Sequence, residues 1–141
     1  MIYITRRFNF SASHRVYNPA ISDEENFNIY GKCSYPNGHG HNYAMDVTVE
    51  GEVDPEIGFV MDLTELKSIV NNCIIEKVDH RNLNTDVDFM KGVLPSTENI
   101  AIKFWEQIEN KINTDKRKLH SIKIQETINN SVEYTGKSKR N

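Results

Sequence analysis

The sequence predicts an α+β domain in which a four-stranded antiparallel sheet is covered on one face by two helices. Three observations support this fold class. Segments that alternate apolar and polar residues lie near both ends of the chain, and two segments with helical spacing lie between them. No internal repeat, low-complexity tract or flexible linker divides the chain, so we expect residues 1–141 to form one domain.

The first predicted strand is IYITRRFNFSASH, which ends near His14, with an irregularity expected at the Arg6-Arg7 pair. A polar loop, NPAISDEENFNIYGK, follows. The second strand begins at His39 and alternates through HGHNYAMDVTVEGEV. The residues DPEIG then predict a turn into the short apolar segment FVM, so we expect a hairpin at this point.

The first predicted helix is DLTELKSIVNNCIIEKV, which opens with Asp62 and has Glu65 three residues later, as in a capping box. Its spacing places Cys73 on the apolar face, which predicts a core position. The second helix is STENIAIKFWEQIENKI, with Ser96 as its N-cap. Two short strands, LHSIKIQET and SVEYTG, follow around an Asn-Asn turn.

Two helices cover only one face of such a sheet. The other face, or the sheet edges, then lacks a partner within the monomer. We therefore expect self-association into a larger barrel or ring.

Composition argues against two classes of partner. The 141 residues include 17 basic and 20 acidic ones, and the only basic block is the last five residues, Lys137 to Asn141, so nucleic-acid binding is not expected. No secretory signal is recognisable, and no apolar run approaches the roughly 18 residues of a membrane span. We expect a cytoplasmic protein with no membrane partner, in which Cys33 and Cys73 are free thiols.

Three histidines predict a metal site. His39 and His41 are two residues apart on one strand, so both imidazoles lie on the same face. Antiparallel pairing of the first two strands would bring His14 beside them. No second cysteine is close enough to complete a structural zinc site, so the fourth position would stay open for chemistry. The alternative is a polar strand entry at His39 and His41, with His14 an unrelated surface residue.

Three further residues are candidates for proton transfer. Cys33 lies on a loop rich in Gly and Asn, as reactive thiols often do, although an isolated loop cysteine is usually inert. Asp79 precedes His80 directly after a helix, where a carboxylate could orient an imidazole. The alternative for this pair is a helix-end cation beside a turn carboxylate.

The last long strand adds a charged residue to an apolar face. His120 alternates in phase with Ile122 and Ile124, and we interpret it as structural. Glu126 has the same phase, so its charge needs a partner. The guanidine-like edge of a ligand is one candidate.

In this order along the chain, the segments FSASH, GKCSYPNGHGHNY, GFVMDLTELK, VDHRNLN, PSTENIA and ETINNSVEY resemble the 6-pyruvoyl-tetrahydropterin synthases and the related 6-carboxytetrahydropterin synthases. The resemblance implies the tunnelling fold (T-fold), a four-stranded antiparallel sheet with two helices. It also implies trimers that stack into a homohexamer around a β-barrel, with sites at subunit interfaces.

The resemblance assigns roles residue by residue. The implied ligands of a catalytic Zn2+ are His14, His39 and His41. The implied general base is Cys33, which Asp79 and His80 join in a proton relay. Glu126 would anchor the amino-pyrimidine edge of the pterin, and Thr97 and Glu98 would line the pocket.

The implied substrate is a small pterin triphosphate, 7,8-dihydroneopterin triphosphate. Loss of triphosphate and tautomerisation would give 6-pyruvoyl-tetrahydropterin without an external redox cofactor. One alternative is the carboxy enzyme, which uses the same substrate, releases acetaldehyde and feeds deazapurine (queuosine) synthesis; CSYPNGHGHNY and PSTENIA look more like the pyruvoyl enzymes. A second alternative, a non-catalytic pterin- or metal-binding module, would need neither the base nor the relay.

Overall fold

The computed structural model describes residues 1–138, so Lys139 and Arg140 of the basic terminal block lie outside the described residues. Two long strands, β1 (Ile2–His14) and β2 (His39–Gly51), form the centre of the fold. They pair antiparallel without a break, from Ile2 opposite Gly51 to His14 opposite His39. The irregularity predicted at Arg6-Arg7 is therefore wrong, because both residues keep the strand register.

The sheet has five strands rather than the four predicted. Its order is β3-β1-β2-β4-β5, with β3 at Arg81–Asn82, β4 at Arg117–Thr127 and β5 at Asn130–Tyr134. The added strand β3 pairs parallel with β1, which makes the sheet mixed. A strand of two residues is too short to give an alternating pattern, so the sequence could not indicate it.

A helix that the sequence does not predict, α1 (Asp23–Tyr30), lies in the polar loop after β1. The side chain of Ser22 caps it by accepting a hydrogen bond from the Glu25 backbone N–H. Asn26 is its only buried residue, so the segment has no apolar stripe and its sequence is typical of a loop. A 3-10 turn, Gly31–Ser34, follows directly and carries Cys33.

The first predicted helix forms as α2 (Leu63–Val70), a π turn (Asn71–Ile75) and α3 (Glu76–Val78). Asp62 caps it by accepting from the Thr64 N–H at 2.8 Å. Glu65 does not complete a capping box, because its carboxylate pairs with Arg117 at 3.2 Å.

The π turn changes which residues of this segment are buried. Its wider turn keeps positions four residues apart on one face, so the fully buried residues are Leu66, Val70, Ile74 and Val78. Cys73 is consequently half-buried and packs against the edge of the core, rather than within it as predicted.

The second predicted helix is α4 (Thr97–Ile112), and the side chain of Ser96 caps it as expected. The core lies between the helices and one sheet face; its largest fully buried side chains include Tyr43, Met45, Phe104, Leu66, Ile108, Ile122 and Ile124. The opposite face is polar and carries pairs such as Arg7 with Asp46 at 2.8 Å. Within residues 1–138, no helix combines the length and apolar character needed to cross a membrane.

Two predictions about the strands are corrected. The segment FVM is a bend and not a strand, because Val60 and Met61, two consecutive residues, both turn into the core instead of alternating. A bulge between Thr48 and Val49 shifts the register against β4 and moves His120 out of phase with Ile122. His120 therefore lies next to Tyr3 and Glu50, with its Nδ1 3.2 Å from the Glu50 carboxylate.

Candidate metal centre and active site

Three imidazoles meet where β1 ends and β2 begins. The β1–β2 register places His14 opposite His39, and His41 follows on the same face of β2. One ligand nitrogen from each histidine lies within 4.8 Å of the other two. The closest pair, Nε2 of His14 and Nε2 of His39, is 3.1 Å apart. The predicted meeting of the three histidines is confirmed.

A backbone carbonyl selects the tautomer of His14. Nδ1 of this buried histidine lies 2.8 Å from the carbonyl oxygen of Pro95. A carbonyl oxygen can only accept, so Nδ1 carries the proton and Nε2 presents a lone pair to the other two rings. Pro95 directly precedes the capped start of α4. The position of that helix thus orients this candidate metal ligand.

The features of this cluster are those expected of a site that can hold a metal ion, rather than of three histidines without a ligand. Nε2 of His41 is buried and has no hydrogen-bond partner within the described chain. Burial lowers the pKa of both His14 and His41, which keeps their rings neutral and able to donate lone pairs. Three converging imidazoles could hold a metal ion and would leave a fourth position open.

A carboxylate borders this cluster. Glu126 extends from β4 with one oxygen 3.4 Å from Nε2 of His41. Its other oxygen accepts a hydrogen bond from the hydroxyl of Thr97, the first residue of α4. Within one chain the contacts of this carboxylate are therefore His41 and Thr97, and the ligand edge predicted as its partner stays a prediction. Glu98 is exposed, and no contact places it beside Glu126 in the part of the chain that the structure describes.

Tyr43 is a residue of this site that sequence reasoning missed. Its ring stacks on Phe10 with centroids 4.7 Å apart, and its centroid lies 5.4 Å from that of His41. The hydroxyl is buried without a partner among residues 1–138. Burial, followed by the negative charge of Glu126, raises the pKa of this phenol. Its strand phase, shared with His39 and His41, was the signal that could have identified it.

The 3-10 turn that bears Cys33 lies against the end of β1. The Cys33 carbonyl accepts a hydrogen bond from the Val16 N–H at 2.8 Å, and the cysteine is half-buried. Gly38, which closes the following turn, has a positive φ of 68°. A Cβ at this position would lie 2.7 Å from the carbonyl oxygen of His14, so the loop approaches the histidine as only glycine allows.

Asp79 and His80 do contact each other. The Asp79 carboxylate lies 3.0 Å from Nδ1 of His80 and also accepts a hydrogen bond from the Ser11 N–H at 2.9 Å. That backbone hydrogen bond is the largest cause of the lowered pKa of Asp79. His80 adopts a left-handed φ of 61°, and its backbone N–H donates to the Ser11 carbonyl.

This pair lies at the outer edge of β1. His80 lines a depression of about 520 Å3 together with His41 and with Ser11 and Asn42, two residues whose side chains face away from the helices. No hydrogen bond or ion pair between described residues joins Asp79 or His80 to Cys33 or to the three histidines. One chain thus brings the three histidines together with Glu126.

Comparison with known proteins places this geometry in context. The family model described as 6-pyruvoyl tetrahydropterin synthase matches residues 3–137. The chain is 45% identical to the 6-pyruvoyl tetrahydrobiopterin synthase of Homo sapiens over 133 residues, which cover 94% of this chain and 90% of the human one. It is also 45% identical to the synthase of Dictyostelium discoideum, with 96% of each chain covered. The solved structure of the Caenorhabditis elegans 6-pyruvoyl tetrahydropterin synthase is similar with a TM-score of 0.89, at 40% identity and 96% coverage of both chains.

Proposed function

Because this chain belongs to the 6-pyruvoyl tetrahydropterin synthase family, we propose that it is the lyase that converts 7,8-dihydroneopterin triphosphate into 6-pyruvoyl-tetrahydropterin. The observation that carries the proposal is the full-length match to relatives of that name, combined with a three-histidine cluster beside Glu126. Both product classes considered from the sequence share this site. The names of the full-length relatives favour the pyruvoyl product.

The metal in this proposal is zinc, held by His14, His39 and His41. Three neutral imidazoles with one open position are typical of catalytic zinc sites. When bound, zinc lowers the pKa of a coordinated hydroxyl and stabilises enolate-like charge. Pro95 contributes by fixing the tautomer of His14, so that this ligand needs no rearrangement before it binds.

Glu126 and Thr97 are proposed to bind the pterin. The Thr97 hydroxyl occupies one lone pair of the Glu126 carboxylate and so fixes the plane of that group. Each carboxylate oxygen retains acceptor capacity for the N–H groups of an amino-pyrimidine edge. Glu98 is assigned to the pocket on the resemblance alone, since its side chain is exposed in one chain.

Cys33, Asp79 and His80 are proposed to move protons. As a thiolate, Cys33 would accept a proton from the substrate side chain. Asp79 accepts from Nδ1–H of His80, which leaves Nε2 of this ring free to take up or deliver a proton. The two groups would act on different faces of the substrate.

A homohexamer made of two trimers, with sites shared between subunits, completes the proposal. It is supported by the lack of any hydrogen bond or ion pair between Cys33 and the Asp79–His80 pair among residues 1–138, and by the polar sheet face opposite the described helices. A cytoplasmic location is proposed as well, consistent with the two free thiols.

The deciding experiment is product analysis. Zinc-loaded protein is incubated anaerobically with 7,8-dihydroneopterin triphosphate, and triphosphate, acetaldehyde and pterins are followed by mass spectrometry. We expect triphosphate and a pyruvoyl pterin without acetaldehyde. Acetaldehyde with a carboxy pterin would assign the chain to the carboxy reaction, and absence of any product from zinc-containing protein would favour a binding module.

A further inference from the structure

Arg15, the residue after His14, holds the turn that carries Cys33. Its Nε donates a hydrogen bond to the carbonyl oxygen of Ser34 at 2.8 Å. Its guanidinium also lies over the Tyr17 ring, 3.8 Å from the centroid. The stacking and the hydrogen bond together restrict a side chain that is usually flexible.

Asn84 in turn fixes the backbone of Arg15 from both sides. Its Oδ1 accepts from the Arg15 N–H at 2.7 Å, and its Nδ2 donates to the Arg15 carbonyl at 2.8 Å. The Asn84 backbone N–H is itself bound to Oδ1 of Asn82, in β3. A continuous series of contacts thus runs from the strand after His80 to the turn that carries Cys33.

We infer that Arg15 and Asn84 are positioning residues, which set the placement of the Cys33 thiol from the loop that follows Asp79 and His80. The carbonyls of Cys33 and Ser34 are both bound to residues after His14, so the turn is fixed at two successive peptides. Neither positioning residue needs to contact the substrate. The inference rests on the proposed catalytic role of Cys33, because only a reacting thiol requires such placement.

Two conservative variants test it. Arg15→Lys keeps the positive charge but removes the Nε–H and the planar stacking group. Asn84→Asp keeps the oxygen that accepts from the Arg15 N–H, but replaces the donor that binds the Arg15 carbonyl. For each variant we would measure kcat, KM and zinc content. We would also measure the rate at which iodoacetamide alkylates Cys33 and Cys73 between pH 6 and 9. This range lies around the ordinary thiol pKa of about 8.5. Peptide mass spectrometry would follow each cysteine separately.

If the thiol of Cys33 is misplaced in these two variants, kcat and the alkylation of Cys33 should change while KM and zinc content do not. We expect kcat to fall about tenfold or more, since displacements near 1 Å can lower turnover about a hundredfold. KM and zinc content should remain close to those of the wild type. The alkylation profile of Cys33 should change, whereas that of Cys73 should not.

The chain provides a matched control in Arg117. Its Nε also donates to a backbone carbonyl, that of Ile112 at 3.0 Å, but it lies at the opposite end of the sheet. Arg117→Lys should therefore leave kcat and both alkylation profiles at wild-type values. Wild-type kcat and Cys33 alkylation in both positioning variants would overturn the inference. The inference would also be overturned if the alkylation profiles of Cys33 and Cys73 changed in parallel and Arg117→Lys caused the same loss of thermal stability as the two positioning variants.

Cys33→Ala separates this inference from the proposed function. If that variant keeps full turnover, the proposed role of Cys33 is wrong, and the positioning inference falls with it. If it is inactive while Arg15→Lys and Asn84→Asp behave as the wild type, only the positioning inference fails.

Discussion

The histidines show how single residues can be arranged to hold a metal ion before any ion binds. A histidine ligand needs one bare nitrogen, and the other nitrogen usually secures it through a hydrogen bond. His14 meets this requirement through Pro95. His41 has a buried nitrogen that forms no hydrogen bond with any of residues 1–138, and a carboxylate lies beside it. An ion would satisfy this buried atom.

Substitutions of the residues proposed to bind the metal and of those proposed to transfer protons should have different effects on zinc content and turnover. We expect His41→Ala to lose zinc, since it removes one of three ligands. Cys33→Ala should keep zinc but lose most turnover. Metal analysis of the purified variants, together with triphosphate release, measures both properties. Unchanged turnover in Cys33→Ala would remove the thiol from the mechanism.

The buried hydroxyl of Tyr43 gives a stability prediction. An unpaired buried hydroxyl is destabilising, and phenylalanine has almost the same shape. We expect Tyr43→Phe to raise the free energy of unfolding of the metal-free protein by up to about 1 kcal/mol. Guanidinium denaturation measures it, with Tyr134→Phe as a control at a half-buried tyrosine. A loss of more than about 1 kcal/mol would mean that the hydroxyl has a partner in solution.

At the scale of elements, the turn before β2 depends on Gly38. We expect Gly38→Ala to lower both stability and zinc affinity, because a Cβ there would displace the His14 backbone. Gly92 is a matched control, with a φ of 74° and no atom within 4 Å of the point where a Cβ would lie. Gly92→Ala should cost about 1–2 kcal/mol for the left-handed conformation and leave zinc affinity intact.

Thermal unfolding and zinc titration would compare the two glycine variants. Equal effects of the two substitutions on zinc affinity would show that the close approach of Gly38 to His14 is unimportant for zinc binding. A fall in affinity for Gly38→Ala alone would support the role of this turn in placing the ligands.

The long elements were predictable from sequence because each has a repeating apolar pattern. β1, β2 and α4 follow their expected phases, whereas the π turn after α2 shifts the phase of that segment. Strand pairing alone placed the three histidines together. α1 and β3 were missed because one buries only an asparagine and the other has two residues. The contacts of Arg15 and Asn84 depend on loops that meet in space, and no local pattern indicates them.

At the scale of the whole molecule, the proposed sharing of sites between subunits predicts complementation between two inactive variants. Cys33→Ala and His80→Ala should each be inactive alone. Co-expressed, they should recover part of the activity, because some sites would combine an intact Cys33 from one chain with an intact His80 from another. Native mass spectrometry would establish that mixed assemblies form. Mixed assemblies without activity would mean that each chain supplies a complete relay.

The pairing of His14 with His39 has a further consequence for how the protein can change over evolution. Residues 15–38 leave and re-enter the sheet at one pair of opposed residues, so they form an insertion whose two ends are fixed. Closing a flexible loop twice as long costs only about 0.6 kcal/mol more. Insertions and deletions in the middle of this segment, away from Arg15, Cys33 and Gly38, can therefore occur while the three histidines stay in place. The strands themselves tolerate no such change, because a shift of one residue would turn a histidine to the opposite face.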